Sequence, residues 1–149
     1  MVEYDTATGE RVAEYAYHTE PVQDAPSPAG AFANNGLVEL LALDDRGTLL
    51  ALERSFSTGA GNDIRLFLAR PDPAGADASG RVPLRKEPVL DFDELGIALD
   101  NVEGMAFGPD LPDGRRTLVF VSDDNFAETQ VTQFLAFAVN GGSAAAGLV

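Results

Sequence analysis

Two stretches of this chain repeat one another, and that repeat constrains the fold more than any other feature. Leu37 to Leu43 is a short apolar strand, followed by an Asp-rich turn at Asp44-Asp45-Arg46-Gly47 and a return strand from Thr48 to Leu52. Ser57 to Asp63 reads as a Gly-rich loop and Ile64 to Leu68 as a third strand. The second copy runs from Val102 to Phe107, through a turn at Pro109 to Gly114, to a strand Thr117 to Val121. A polar loop, Ser122 to Thr129, then leads to a strand near Thr132 to Val139. Aligned, Glu39 falls on Glu103, Thr48-Leu49-Leu50 on Thr117-Leu118-Val119, and Arg65-Leu66-Phe67-Leu68 on Gln133-Phe134-Leu135-Ala136, at offsets of 64, 69 and 68 residues. Period-2 patterning and turn residues dominate, and long helical periodicity is missing. Repetition of such units marks radially arranged blades of ~40–50 residues each, although two copies also fit a β-sandwich. The expected fold is all-β, a partial β-propeller of about two and a half blades of antiparallel strands.

The remaining segments fit around these units. Residues 2–17 read as a hairpin turning at Ala7-Thr8-Gly9, the outer half of a further blade, and residues 21–35 read as loop. Residues 71–88, with Pro71, Pro73, Gly75, Gly80, Pro83 and Pro88, read as a polar excursion without a core of its own. One domain is expected over residues 1–140, followed by a Gly/Ala-rich tail over 141–149. Leu, Ile, Val and Phe supply 40 of 149 residues, about 27 % and above the ~20 % below which a charged chain stays disordered. A core is therefore expected, but a closed ring of about four blades is not. The chain reads as the C-terminal portion of a longer domain, with open blade faces covered by missing N-terminal blades or by self-association.

Charge excludes several partners. Ten Lys+Arg against 24 Asp+Glu give a net charge of −14, and the only close basic pairs are Arg85-Lys86 and Arg115-Arg116. Nucleic acid and anionic membrane surfaces require basic clusters, so neither is expected as a partner. No run approaches the ~20 apolar residues that span a bilayer; the longest, Leu37 to Leu43, contains Glu39. The start, Met1-Val2-Glu3-Tyr4-Asp5, has no basic n-region or apolar stretch of a signal peptide. Cysteine is absent, so disulfides, thiolate metal sites and a cysteine nucleophile are excluded.

Familiar catalytic patterns are also missing: there is no G-x-S-x-G elbow, H-E-x-x-H pair or Walker A loop. The lone His18, beside a Pro-rich loop, reads as a surface residue. Asp91-Phe92-Asp93-Glu94-Leu95-Gly96 imitates the start of an EF-hand loop, but Leu95 and Val102 occupy positions that need ligands. More informative are Glu39 in Leu37-Val38-Glu39-Leu40-Leu41 and Glu103 in Val102-Glu103-Gly104-Met105-Ala106. A carboxylate in an apolar strand is costly unless paired, hydrogen-bonded or metal-bound. In a propeller the innermost strands line a central channel, where equivalent carboxylates would converge on a calcium-like oxygen site. The bland alternative is a solvated or Arg-paired glutamate, and Arg54 is the obvious partner in either case. Asp123-Asp124-Asn125 adds oxygen ligands at a strand end, though Asp and Asn also favour turns for local reasons.

Three runs taken together, Leu49-Leu50-Ala51-Leu52-Glu53-Arg54-Ser55-Phe56, Asp100-Asn101-Val102-Glu103-Gly104-Met105-Ala106 and Ser122-Asp123-Asp124-Asn125-Phe126, resemble the phytase-like domain proteins labelled "esterase-like activity of phytase". Their order matches, as does the hairpin around Tyr4-Asp5-Thr6-Ala7-Thr8-Gly9, and the resemblance covers about residues 1–140. It implies a β-propeller in exported bacterial proteins, hence a periplasmic or extracellular setting for the intact parent. It also implies hydrolysis of a small-molecule ester or phosphate ester, assisted by calcium in an acidic channel. On that basis Glu39, Glu103, Asp123 and Arg54 are the candidate catalytic residues, and Glu39, Glu103, Asp123 and Asn125 the candidate metal ligands. The competing reading is a non-catalytic propeller that serves as a binding module with at most a structural metal, since fold does not fix function.

Overall fold

A computed structural model describes residues 1–140; the tail expected over 141–149 lies outside them. Among the described residues there are nine strands: β1 (Val2–Tyr4), β2 (Arg11–Ala16), β3 (Ala33–Ala42), β4 (Leu49–Ser57), β5 (Gly61–Pro71), β6 (Val82–Asp91), β7 (Val102–Phe107), β8 (Arg116–Ser122) and β9 (Phe134–Val139). They form a six-stranded sheet in the order β1-β2-β6-β5-β4-β3 and a three-stranded sheet β7-β8-β9. Strands β3 to β6 are a consecutive antiparallel blade, and β7 to β9 repeat its first three strands. The fold is all-β and propeller-like. No helix of the described residues is long and apolar enough to cross a membrane.

Strand register tests the repeat residue by residue. Leu52 pairs with Leu66 in the first blade, and Val121 with Phe134 in the second. These pairings place Thr48-Leu49-Leu50 on Thr117-Leu118-Val119 and Arg65-Leu66 on Gln133-Phe134, as the sequence alignment expects. The hairpin-closing bonds correspond as well, Leu43 N to Thr48 O at 2.8 Å and Gly108 N to Thr117 O at 3.1 Å. The alignment of the two glutamates is off by one. Both inner strands carry a bulge, leaving Val38 without a direct partner in β3 and Glu103 without one in β7. Glu103 therefore corresponds to Val38, and Glu39 to Gly104. A one-residue slip in a strand reverses the face a side chain occupies, so the two carboxylates are not equivalent.

Three segments that read as loops hold strand. Residues 33–36 extend β3, residues 61–63 open β5, and residues 82–88 belong to β6, the fourth strand of the first blade. Pro83 and Pro88 disguised β6, because proline removes a ladder donor. Pro83 lies where β2 joins β6 in parallel, and the register slips near Pro88, between Leu66 and Phe67 of the partner strand. The opening hairpin is present, but it extends this same sheet through β6 instead of forming half of a separate blade.

The period of two in β4 and β5 divides the buried residues between two faces. Leu50 and Leu52 of β4, with Ile64, Leu66 and Leu68 of β5, pack against Val102, Met105, Leu118 and Phe120 of the second sheet. Phe92, from a 3₁₀ turn Phe92–Leu95, closes this layer edge-on to Phe120 at 5.0 Å between ring centroids. On the opposite face, Ala51, Phe67, Ala69 and Leu84 pack with Tyr15, Tyr17, Leu37, Leu40 and Leu49. Polar residues of β4 continue this second face toward its C-terminal end. Glu53 accepts from Tyr17 Oη and Glu20 N, Ser55 Oγ accepts from Gln23 N, and Ser57 Oγ donates to Asp24 O. Every second residue of β4 thus fastens the 17–24 segment over the sheet.

Candidate functional site

Arg54 follows Leu50 and Leu52 on the face of β4 that meets the second sheet. Its guanidinium crosses the junction, Nη1 donating to Asn101 Oδ1 and Nη2 lying 3.2 Å from Glu103 Oε1. Asn101 is 2 % exposed, and its carbonyl accepts from Asp123 N at 2.9 Å. Asp100 anchors the same loop: its carboxylate accepts from Asn101 N, Gln130 Nε2 and Val131 N at 2.7–2.8 Å. Burial pushes the Asp100 carboxyl up, but the bonds from Gln130, Val131 and Asn101 outweigh it and hold it below the ordinary range. The bulge at Glu103 lifts this residue out of the regular ladder and turns it to Arg54.

The expected site residues therefore divide. Arg54 and Glu103 meet directly, and Asp123 joins them through the Asn101 backbone. Asn125 stands at the next turn, its N donating to Asp123 Oδ1 at 2.9 Å and its Nδ2 to Gln130 Oε1 at 3.1 Å. Asn125 and Phe126 both take left-handed φ values, 49° and 55°, a conformation uncommon outside glycine. Glu39 is half-buried on β3, where its Oε1 accepts from Leu40 N at 2.8 Å. Strands β3 and β7 are in contact, but Glu39 shares no hydrogen bond or ion pair with Arg54 or Glu103.

A second polar constellation occupies the opposite face of the first blade. Asp63, Asp91 and Asp93 place one carboxylate oxygen each within 4.8 Å of one another, the one such acidic grouping among the described residues. Arg65 lies between them, 3.0 Å from Asp63 and 3.4 Å from Asp91. Burial raises the Asp63 carboxyl above its ordinary value, with Arg65 opposing and Asp93 and Asp91 adding to the rise. Burial, then repulsion from Asp91 and Asp24, raises Asp93. One guanidinium thus leaves negative charge uncompensated, and the three carboxylates are close enough together to hold a metal ion. A cleft of about 410 Å³ opens beside Arg65 and Asp91, walled by Glu20, Val22, Phe67 and Leu90.

The sequence pattern hides this grouping, because Asp63 falls in a stretch that reads as a loop and Asp91 and Asp93 read only as an imitation of a linear EF-hand. The signal was present in Asp63 and Arg65, which share a strand face. Their cross-strand partner Asp91 was hidden by the prolines of β6. Asn101 and Asp100 lie inside one of the runs that carry the resemblance, but nothing in their local pattern marks their roles.

A family model described as "Phytase-like: Esterase-like activity of phytase" matches residues 1–126. No curated protein and no solved structure matches the chain. The family match spans the whole first blade and β7 and β8 of the second, and it contains Arg54, Asn101, Glu103 and Asp123. By that match, the chain belongs to the phytase-like family.

Proposed function

We propose that this domain takes part in hydrolysis of a small-molecule ester or phosphate ester, with the blade junction at Arg54, Asn101, Glu103 and Asp123 as its site. The observation that carries this reading is the meeting of two sequence-distant runs at one guanidinium, with a third joined to them by the bond from Asp123 N to the Asn101 carbonyl, within a domain of a hydrolase-like family. The half-buried Arg54 offers a fixed positive charge for the oxygen that gains charge as an acyl or phosphoryl centre is attacked. Glu103 neutralises Arg54 in the resting protein and is placed to orient a water or accept its proton. Asp63, Asp91 and Asp93 would hold calcium on the opposite face of the blade, where the ion when bound would neutralise their charge and stabilise the domain away from the reacting ester. For the intact parent we propose a periplasmic or extracellular setting, where calcium is available to sites of modest affinity.

The test uses the purified chain with 4-nitrophenyl butyrate and 4-nitrophenyl phosphate, in calcium and in chelator. Turnover of one substrate is expected, falling ~100-fold in Arg54→Met, as for loss of an oxyanion-stabilising donor. Calcium should raise the melting temperature of the wild type but not of Asp93→Asn, since an ion at 100 times its Kd contributes about 2.7 kcal/mol. Absence of turnover with both substrates would put the non-catalytic binding module ahead. An equal calcium shift in both proteins would remove the metal from the aspartate grouping.

A further inference from the structure

We infer that Asn101 is the positioning residue that holds the Arg54 guanidinium across the blade junction. The inference deepens the hydrolytic reading, and its activity arm rests on that reading. Arg54 Nε is buried from solvent and has no hydrogen-bond partner. A buried donor left without an acceptor is costly and calls for an explanation. The explanation lies in the other end of the guanidinium, where Nη1 donates to Asn101 and Nη2 meets Glu103. Charge-assisted bonds such as these are stronger than neutral ones. They set the orientation of the group at the expense of its Nε bond.

Of the two acceptors, Asn101 is the one that cannot move. Its side chain is buried, its N donates to Asp100 Oδ1 at 2.8 Å, and its carbonyl accepts from Asp123 N at 2.9 Å. Asp100 is itself tied to Gln130 and Val131, and its N donates to Gln133 Oε1. Asn101 is thus held on both sides by the loop joining β8 to β9. The Glu103 side chain, by contrast, is 38 % exposed and projects from a bulge. With Asn101 in place, Arg54 keeps one orientation whether or not Glu103 releases it to a ligand. Without Asn101, the guanidinium would follow Glu103 or swing toward solvent.

The experiment compares two nearly isosteric replacements. Asn101→Asp keeps the acceptor oxygen, and Asn101→Leu keeps the volume and removes it. In nitrogen-15 labelled protein, the Arg54 Nε–H, identified by its absence in Arg54→Lys, should exchange slowly in the wild type and in Asn101→Asp. It should exchange fast or broaden beyond detection in Asn101→Leu. With the substrate the wild type turns over, Asn101→Leu should lose roughly 10- to 100-fold in kcat, the scale of a small misplacement, at little change in KM. Asn101→Asp should recover most of that loss. A packing role predicts the opposite ranking, with leucine tolerated and aspartate harmful, and that ranking would overturn the inference, as would an unchanged Arg54 resonance in Asn101→Leu. Should the leucine variant fail to fold, Asn101→Ser, too short to reach Arg54, takes its place with the same expectations. If the wild type turns over neither ester nor phosphate ester, the hydrolytic reading falls while the resonance still decides whether Asn101 positions Arg54.

Discussion

Glu53 is 2 % exposed and yet keeps its charge. Burial pushes its carboxyl up, but bonds from Lys86, Tyr17, Glu20 N and Asn35 outweigh burial and hold it below the ordinary range. Lys86, 2.6 Å away, is itself sandwiched by the Tyr17 and Phe67 rings at 5.0 and 4.5 Å. Lys86 keeps a second, partly exposed carboxylate, Glu20 at 2.9 Å, so Glu53→Gln should cost about 2 kcal/mol at pH 7 in denaturant melts, less than the full loss of a buried pair. Because the folded carboxyl lies below its ordinary 4.5, this contribution is complete above that pH and fades as acid protonates it. The gap between wild type and variant should narrow accordingly. A loss below ~0.5 kcal/mol, usual for surface positions, would show that the cluster is effectively solvated. In the sequence Glu53 stands beside Arg54, but alternation along β4 sends the two to opposite faces. What the sequence shows correctly at this scale is Arg54 as the partner of a strand glutamate. What it does not show is which glutamate, because a bulge is invisible in the residue pattern and decides whether Glu39 or Glu103 turns to the guanidinium.

The hairpins show why most of the strands were legible and some were not. The turn between β3 and β4 is built by Asp44, whose Oδ1 accepts from Arg46 N and Thr48 N at 2.9 and 3.1 Å, and by Gly47 at a φ of 81°. Asp113 repeats the device between β7 and β8, accepting from Arg115 N at 3.1 Å. Such Asx bonds are local, and so they can be read from four residues. The backbone bonds from Thr48 and Arg46 lower the Asp44 carboxyl from 3.8 to about 2. A folded value below the unfolded one means that the turn's stabilisation is full above pH 3.8 and vanishes as the pH falls through about 2. Asp44→Ala should therefore melt at a lower temperature than wild type at pH 7, and the difference should close across that acid window. A difference that persists below pH 2 would assign the effect to something other than the carboxylate. By contrast, β6 takes its place from long-range pairing with β5 and β2, overriding the local bias of Pro83 and Pro88. Local chemistry thus reveals hairpins, while the fourth strand of the blade is determined by tertiary contacts.

At the scale of the whole molecule, the two blades do not match in completeness. The first has four consecutive antiparallel strands and a hairpin beyond them, whereas β9 has β8 as its only strand partner among the described residues. Phe134 on β9 is 75 % exposed, and Phe126 and Val131 in the preceding loop are 102 % and 53 % exposed. An unpaired edge beside exposed apolar side chains is a template for association. Against it stands a net charge of −14, and most cations that might offset this charge are already committed to ion pairs with carboxylates. Like-charged copies repel over the Debye length, which shrinks from roughly 30 Å at 0.01 M salt to ~3 Å at 1 M. We therefore expect the isolated chain to be dispersed at low salt and to self-associate as salt is raised, the order opposite to that of an interface held by ion pairs. Light scattering and sedimentation across that salt range check this. A shift to Lys at Phe134 should suppress the association by charging the edge, while the same change at Val12 of the opening hairpin should not. If the chain instead remains a cooperatively melting monomer at high concentration and high salt, the β9 edge is not an interaction surface, and the two-blade unit is self-sufficient.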